Sequence, residues 1–446
     1  MKNSILNKFV KYVILNIMGM IGLSCYILAD TFFVAKALGA TGLAALNLSI
    51  SAYSVINGTG LMIGIGGATR YSILKSQNED REANKVFATC VKLGVLIGVI
   101  YAIIGIFGSK SLASILGADD STLNMTKTYL TTIMCFAPFF IMNNIMLAFV
   151  RNDNNPNLSM IAMLVGSFSN IILDYVFIFP FGMGIFGAAF ATGLAPIISL
   201  ITLSIHFVKR KNKFRYISTR IIKSTASDIF RLGLSAFITE VSSAVVLITF
   251  NLVILNINGN LGVASYGIVA NIALVGIAVF TGIAQGIQPL ISHSYGLKNN
   301  EELKKIQKYA IFTSLSIATL IYITMFFNAD SVIELFNSDQ NLEIAQIAKT
   351  GIQIYFLGFF FAGINIVMAM YLSATEKTKV AFIISISRGC IIIVPLVLVL
   401  SNIWKMNGVW LSFVLTEFIV TIFAFILVNS KNGLSIEKKV STGTQG

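Results

Sequence analysis

The sequence predicts an all-α polytopic membrane protein: twelve transmembrane helices in two pseudo-symmetric six-helix bundles around a central cleft. Three observations predict it. Of 446 residues, 56% are hydrophobic and only 11% charged, where soluble domains carry roughly 25% charged residues. Apolar runs of about 20 residues recur from end to end, each long enough to cross a hydrocarbon core of ~30 Å. Finally, a shift of 220 residues aligns Gly39 with Gly259, Gly42 with Gly262, Ala44 with Ala264, Gly66 with Gly286, Ser72 with Ser292, Glu82 with Glu302, Lys85 with Lys305 and Asp119 with Asp339, without a gap. Identities that fall on glycines and loops, in a register that places helix on helix, indicate an internal repeat.

Taken in order, the apolar windows place helices near 12–35, 44–70, 87–108, 125–150, 158–180 and 187–208, then 229–257, 263–291, 308–327, 349–373, 380–402 and 408–428. The first could be mistaken for a secretory leader, with Lys2, Lys8 and Lys11 before it and a small-x-small step at Ala35-Lys36-Ala37. Its apolar stretch, Tyr12 to Val34, is too long for a leader, and a second follows almost at once. The expected organisation is an N-terminal lobe (1–208), a basic linker (209–228), a C-terminal lobe (229–430) and a tail (431–446).

The net charge of +13 reflects orientation rather than nucleic-acid binding, since no soluble surface interleaves basic and aromatic residues. A cytoplasmic N-terminus puts Lys209, Arg210, Lys211, Lys213, Arg215, Arg220 and Lys223 inside and leaves only Lys36, Lys110, Lys127, Lys349 and Lys405 outside. Both termini are therefore expected in the cytoplasm of a multi-pass cell-membrane protein, and a monomer is expected. Cys25, Cys90, Cys135 and Cys390 lie far apart within apolar runs and suit neither a zinc site nor a disulfide framework. His206 and His293 sit at helix ends without metal spacing, and no role is expected for them.

Ionisable groups inside the bilayer are the functional candidates, because each costs at least ~2.5–3.5 kcal/mol at the membrane centre. Asp30 and Asp174 fall by helical rise in the outer half of the N-terminal lobe, about 27 and 24 Å from the cytoplasmic face. Asn170, one turn before Asp174, and Thr192 share that band. Two carboxylates, an amide carbonyl and a hydroxyl suit a hard cation, and two carboxylates held close also favour holding a proton; the alternative is that Asp30 is a wet helix-end residue and Asn170 a helix–helix hydrogen bond. Glu240, Arg388 and Glu417 lie nearer the midplane in the C-terminal lobe. Arg388 can neutralise one glutamate and leave the other to attract a cationic substrate, with Phe and Met supplying an adaptable apolar wall; a purely structural Arg–Glu pair is the alternative.

These residues also carry a resemblance. Ala29-Asp30-Thr31-Phe32-Phe33-Val34 with Leu38-Gly39-Ala40 and Leu43-Ala44-Ala45 resembles the first helix and following loop of the multidrug and toxic compound extrusion family. Gly60-Leu61-Met62-Ile63-Gly64-Ile65-Gly66-Gly67 and Ala83-Asn84-Lys85 look like its Gram-positive drug-export branch. Asn170-Ile171-Ile172-Leu173-Asp174, Gly187-Ala188-Ala189 with Ala191-Thr192, and Gly233-Leu234-Ser235 with Glu240 extend the likeness over nearly the whole chain. It implies an antiporter, not an enzyme, that exports small cationic amphipathic molecules against sodium ions or protons, with no cofactor beyond sodium as a possible coupling ion. It places the cation site on Asp30, Asn170, Asp174 and Thr192, and an acidic residue on Glu240. The aspartate that some branches carry on helix 10 is missing between Lys349 and Ser373, so coupling is expected through the N-terminal lobe alone. The rival expectation is a flippase of a lipid-linked or amphipathic lipid precursor in the same superfamily. A membrane enzyme finds no His cluster or Ser/His pair, and a channel does not need the two-bundle repeat.

Overall fold

In a computed structural model, residues 2–336 and 341–429 are described, and they are helical throughout apart from turns and a mid-chain strap. The elements are α1 (Lys2–Ser76), α2 (Asp80–Ile115), α3 (Leu123–Cys135), α4 (Ala137–Asn152), α5 (Pro156–Ile178), α6 (Gly184–Val208), α7 (Lys223–Gly296), α8 (Asn300–Phe327), α9 (Ala329–Phe336), α10 (Leu342–Tyr355), α11 (Phe359–Ala374), α12 (Thr378–Ile386) and α13 (Ile393–Asn429). A 3₁₀ turn at Phe356–Gly358 joins α10 to α11, and a π-helical turn at Ser387–Ile391 joins α12 to α13. The expected tail, 431–446, and Asp339 of the repeat lie outside the described residues.

Among the described residues, eight stretches are apolar and long enough to span a membrane, and α3–α4, bent by 48°, makes a ninth. Three of these are double. A straight helix of 75 residues would reach about 110 Å, so α1 must fold back, and it does so at Gly39 (φ 63°, ψ −156°). The 74-residue α7 folds back at Gly259 (φ 59°, ψ −151°), and the α12–α13 stretch turns at Lys405 (φ 52°). Twelve spans result, six on either side of a mid-chain crossing.

The repeat is visible in the backbone itself. Gly39 and Gly259 adopt nearly the same left-handed conformation, and so do Asn78 and Lys298 at the same offset. Asn154 pairs with Glu376 and Gly184 with Lys405 one or two residues beyond it. Such a conformation costs a residue with a Cβ about 1–3 kcal/mol. At Gly259 a Cβ would meet nothing within 4 Å, so the cost there is purely conformational. Gly259→Ala is therefore expected to lower stability by about 1–3 kcal/mol in thermal unfolding of the purified protein. Gly267→Ala, equally uncrowded but on ordinary helix, should be neutral or stabilising.

Several helices run past the apolar windows: α1 starts at Lys2 instead of 12, α2 at Asp80 instead of 87, and α7 at Lys223 instead of 229. The basic segment between the lobes is also less free than a linker. Phe214 is fully buried among Phe87, Phe149, Phe207 and Tyr71 and stacks on His206 at 5.9 Å. The Lys213 N–H donates to Asp153 Oδ2 at 2.7 Å, Arg215 N–H to Asn84 Oδ1 at 2.8 Å, and Lys92 to the Thr219 carbonyl. His206 Nε2 lies 2.9 Å from the same Asp153 oxygen, with both side chains buried. His206 is thus a buried anchor of the strap rather than an idle helix-end residue.

The lobes meet on the side that carries the N-terminus and this strap, here the near side. Glycines let backbones touch there: Gly282 against Ile17, Gly286 against Tyr12 and Val13, Gly296 against Ile73, and Gly66 against Ile229 and Gly233. Polar bonds cross the same seam. Arg151, only 2% exposed and held at 2.6 Å by Asn16 Oδ1 of its own lobe, donates across to Gln285 Oε1 at 2.9 Å. Gln288 bonds Thr69 at 3.0 Å and Asn152 at 2.8 Å, and Arg70 bridges Asp228 and Glu376. Among the described residues, no hydrogen bond or ion pair between the lobes lies on the far side of Glu240. The central cleft is therefore sealed at its near end.

Candidate cation and substrate sites

Inside the first lobe, α5 and α6 pack side by side, and their small residues permit it: a Cβ on Gly166 would press on Ala195 and Ser199. This brings Asn170 and Asp174, on one face of α5 at i,i+4, against Thr192 of α6. All three are buried, as is Asp30 of α1 at 7% exposure. The Asn170 amide has one orientation that suits both neighbours: its nitrogen donates to Asp174 Oδ2 at 3.0 Å and its oxygen accepts from the Thr192 N–H at 3.2 Å. Asp174 Oδ1 and Asp30 Oδ1 are left buried without a hydrogen-bond partner, and no ion pair reaches either carboxylate among the described residues. Buried acids in that condition require a cation or a proton. The donor set of carboxylates, amide oxygen and hydroxyl fits a hard cation.

Tyr129 of α3, buried at 5% exposure, completes this cluster, reaching Thr192 and lying within electrostatic range of Asp30 and Asp174. Its place was not evident in the sequence, since position along the chain does not show that α3 packs against α1, α2 and α6.

In the second lobe the three charged candidates separate. Arg388 and Glu417 form a bidentate pair, Nη2 to Oε1 at 2.7 Å and Nε to Oε2 at 3.3 Å, with side chains 11% and 3% exposed. Asn365 donates to Glu417 Oε2 at 2.7 Å, and Thr421 donates to the Asn365 oxygen at 3.0 Å. Every lone pair that matters on Glu417 is engaged. Glu240 lies elsewhere, at the seam. Its Oε1 accepts from Asn57 of the first lobe at 3.0 Å, and the Asn57 oxygen accepts from Asn144 at 2.9 Å. Gly58 keeps the two lobes close at this level, because a Cβ there would contact Phe237 and Glu240. Glu240 thus lies between the lobes with an amide partner and, among the described residues, no cation. Asn57 and Asn144 gave no signal in the sequence, being 183 and 87 residues from their partners.

The MatE family profile matches residues 16–176 and 236–399, one block in each lobe. The chain belongs to the multidrug and toxic compound extrusion (MATE) family. As a MATE protein it is a multi-pass membrane transporter of the multidrug-efflux type and not an enzyme. It is 28% identical over 394 residues to the multidrug export protein MepA of Staphylococcus saprophyticus, covering 86% of this chain and 85% of that one. It is also 28% identical over 405 residues to MepA of Staphylococcus haemolyticus, covering 89% and 87%. The MATE fold recurs in the outward-facing structure of a multidrug resistance MATE family transporter, with a TM-score of 0.90 over 97% of this chain and 96% of that one at 23% identity. A transporter from Pyrococcus furiosus, described as having a binding pocket of reversed polarity, matches with a TM-score of 0.86 over 94% of both chains at 24% identity.

Proposed function

We propose that this MATE protein is a secondary active exporter that antiports cationic, amphipathic drugs and dyes against sodium ions or protons by alternating access. One observation carries the reading: among the described residues, acids within the membrane-spanning stretches that lack a basic partner occur in two places, the buried pair Asp30 and Asp174 in the first lobe and Glu240 between the lobes. Asp30, Asn170, Asp174 and Thr192 hold the coupling cation, and Glu240 draws the substrate cation. Arg388 and Glu417, closed on each other, line the cleft as a neutral pair. The multidrug export named for the staphylococcal relatives supports the same substrate class.

The near side, with the basic strap and the N-terminus, is then cytoplasmic in the cell membrane, and the seam described above is the inner gate in its closed state. Each protomer holds both sites within one chain, so a monomer suffices. Rocking between the two lobes exposes the cleft to either side in turn, and antiport requires that each ligand prefer a different state. No observation favours the flippase reading, because the uncompensated charge at the cleft is negative.

The test is ethidium efflux from cells that express the protein, with external sodium present or replaced by potassium, and with the proton gradient intact or collapsed. Efflux that falls when one of these gradients is removed is the expected result. Retention of ethidium and several other lipophilic cations at the level of empty cells would overturn the drug-export reading. In Glu240→Gln, dye binding to purified protein should weaken by tenfold or more, about 1.4 kcal/mol, as read by fluorescence anisotropy.

A further inference from the structure

The strap between the lobes carries charge that the rest of the protein leaves unanswered. Between Lys209 and Lys223 it holds seven basic residues and no acid, and it joins two membrane-spanning stretches, α6 and α7, so it lies at the membrane surface. Along 211–215 burial alternates: Lys211, Lys213 and Arg215 are exposed, Asn212 is half-buried and Phe214 is buried. That is the pattern of an extended chain laid with one face on the first lobe, and it sets these cations on the other face. The strap cannot lift away without breaking the Phe214 packing and the backbone bonds of Lys213 and Arg215. Among the described residues, none of the seven basic side chains forms a hydrogen bond or an ion pair. Apolar groups are exposed beside them, Tyr216 at 56% and Ile221 at 40%. At the end of α6, exposed Ile201, Ile205 and Val208 share one helical stripe, so the strap continues a surface that faces lipid. Orientation explains the sign of the charge but not this arrangement. It counts Lys and Arg on one side, and requires neither a pinned strap nor exposed apolar side chains within it.

We infer that the strap is a docking surface for the anionic phospholipid headgroups of the adjoining leaflet. Headgroup phosphates meet the cations of Lys211, Lys213 and Arg215, and the guanidinium of Arg215 can hold a phosphate through two parallel N–H donors. Tyr216 and Ile221 sit where headgroup meets acyl chain, a level that favours an aromatic ring with a polar tip. A lipid surface answers the cations and the apolar groups together, whereas a free phosphate answers the cations alone. Because the strap is already pinned to the first lobe, little ordering is lost when the headgroups bind. The inference needs only that α6 and α7 cross the membrane, and it stands apart from the antiport reading.

The experiment is a competition, read by native mass spectrometry of the purified full-length protein taken from micelles that contain equal amounts of phosphatidylglycerol and phosphatidylcholine with the same acyl chains. Wild type is expected to retain phosphatidylglycerol over phosphatidylcholine by about tenfold, which is within what several cations at an anionic surface supply. In the combined variant Lys211→Gln, Lys213→Gln, Arg215→Gln and Arg220→Gln the preference should fall to about twofold or less. These side chains are exposed and unbonded, so the fold should persist. Lys211→Gln with Arg215→Gln stands in if the combined variant does not purify as a single folded species, with a preference between those of the combined variant and wild type. The control, Lys298→Gln, Lys304→Gln, Lys308→Gln and Lys379→Gln, removes the same charge from exposed positions on or beside α8 and α12 and should stay within about twofold of wild type. Equal loss in the control overturns the inference, because the attraction would then belong to the charge of the whole near side. No preference in wild type, or a full preference in the strap variants, also overturns it, and the basic residues would then serve orientation alone.

Discussion

Asp30→Asn and Asp174→Asn are each expected to reduce ethidium efflux to the level of cells without the transporter, at equal membrane abundance. The amide keeps the size and hydrogen-bonding reach of the carboxylate, so packing is conserved while the charge is removed. Asp174 already receives one hydrogen bond from Asn170, and the orphaned Oδ1 atoms of Asp174 and Asp30 are what a cation or proton would satisfy. Without the negative charge there is nothing to neutralise, and the energy of ion entry can no longer bias the two states. Stability should move the other way. Two buried acids with no basic partner oppose folding, so the purified Asn variants should unfold at the same temperature as wild type or higher, a common exchange of stability for function. Efflux that survives in both variants would remove these residues from the coupling site. Loss of efflux accompanied by a lower unfolding temperature would point to a structural role instead.

The spans were legible because the bilayer demands long apolar runs, and the repeat because its glycines occupy backbone conformations that few other residues tolerate. The ends of helices were not: a hydropathy window sees only the lipid-embedded part, whereas α1, α2, α7 and α8 run on for one or more turns beyond it. The bend between α3 and α4 escaped notice for a similar reason, since the apolar run passes through it unbroken. Within the site, Asp30, Asn170, Asp174 and Thr192 could be grouped by depth, because helical rise converts sequence position into height. Height does not say which residues face each other. Arg388 could pair with either glutamate by that measure, and only the packing of α11, α12 and α13 shows that it chose Glu417. The same limit hid Asn57 from Glu240, and Arg151 from Asn16 and Gln285, all of them contacts between distant segments.

The second large effect is expected at the seam. A Cβ at Gly233 would overlap the Met62 carbonyl, and one at Gly66 would overlap the carbonyl of Ile229. Both obstacles are backbone, so no rotamer change relieves them; the helices must separate. In a rigid core that would unfold the protein, but here the two surfaces belong to different lobes, which the proposed rocking would part on the near side. Gly233→Val and Gly66→Val should therefore leave each lobe folded and shift the population toward the state open on the near side. Ser292 reports on this, being fully buried in the seam and bonded to Gln288. With Cys25, Cys90, Cys135 and Cys390 replaced, a Ser292→Cys probe should react slowly with a hydrophilic thiol reagent in the parent and much faster in the valine variants, while efflux falls to background. Equal reactivity with efflux preserved would mean that this glycine contact is not the gate. A valine variant that instead fails to reach the membrane would show that the lobes depend on each other to fold, and that outcome too would contradict a seam built to open.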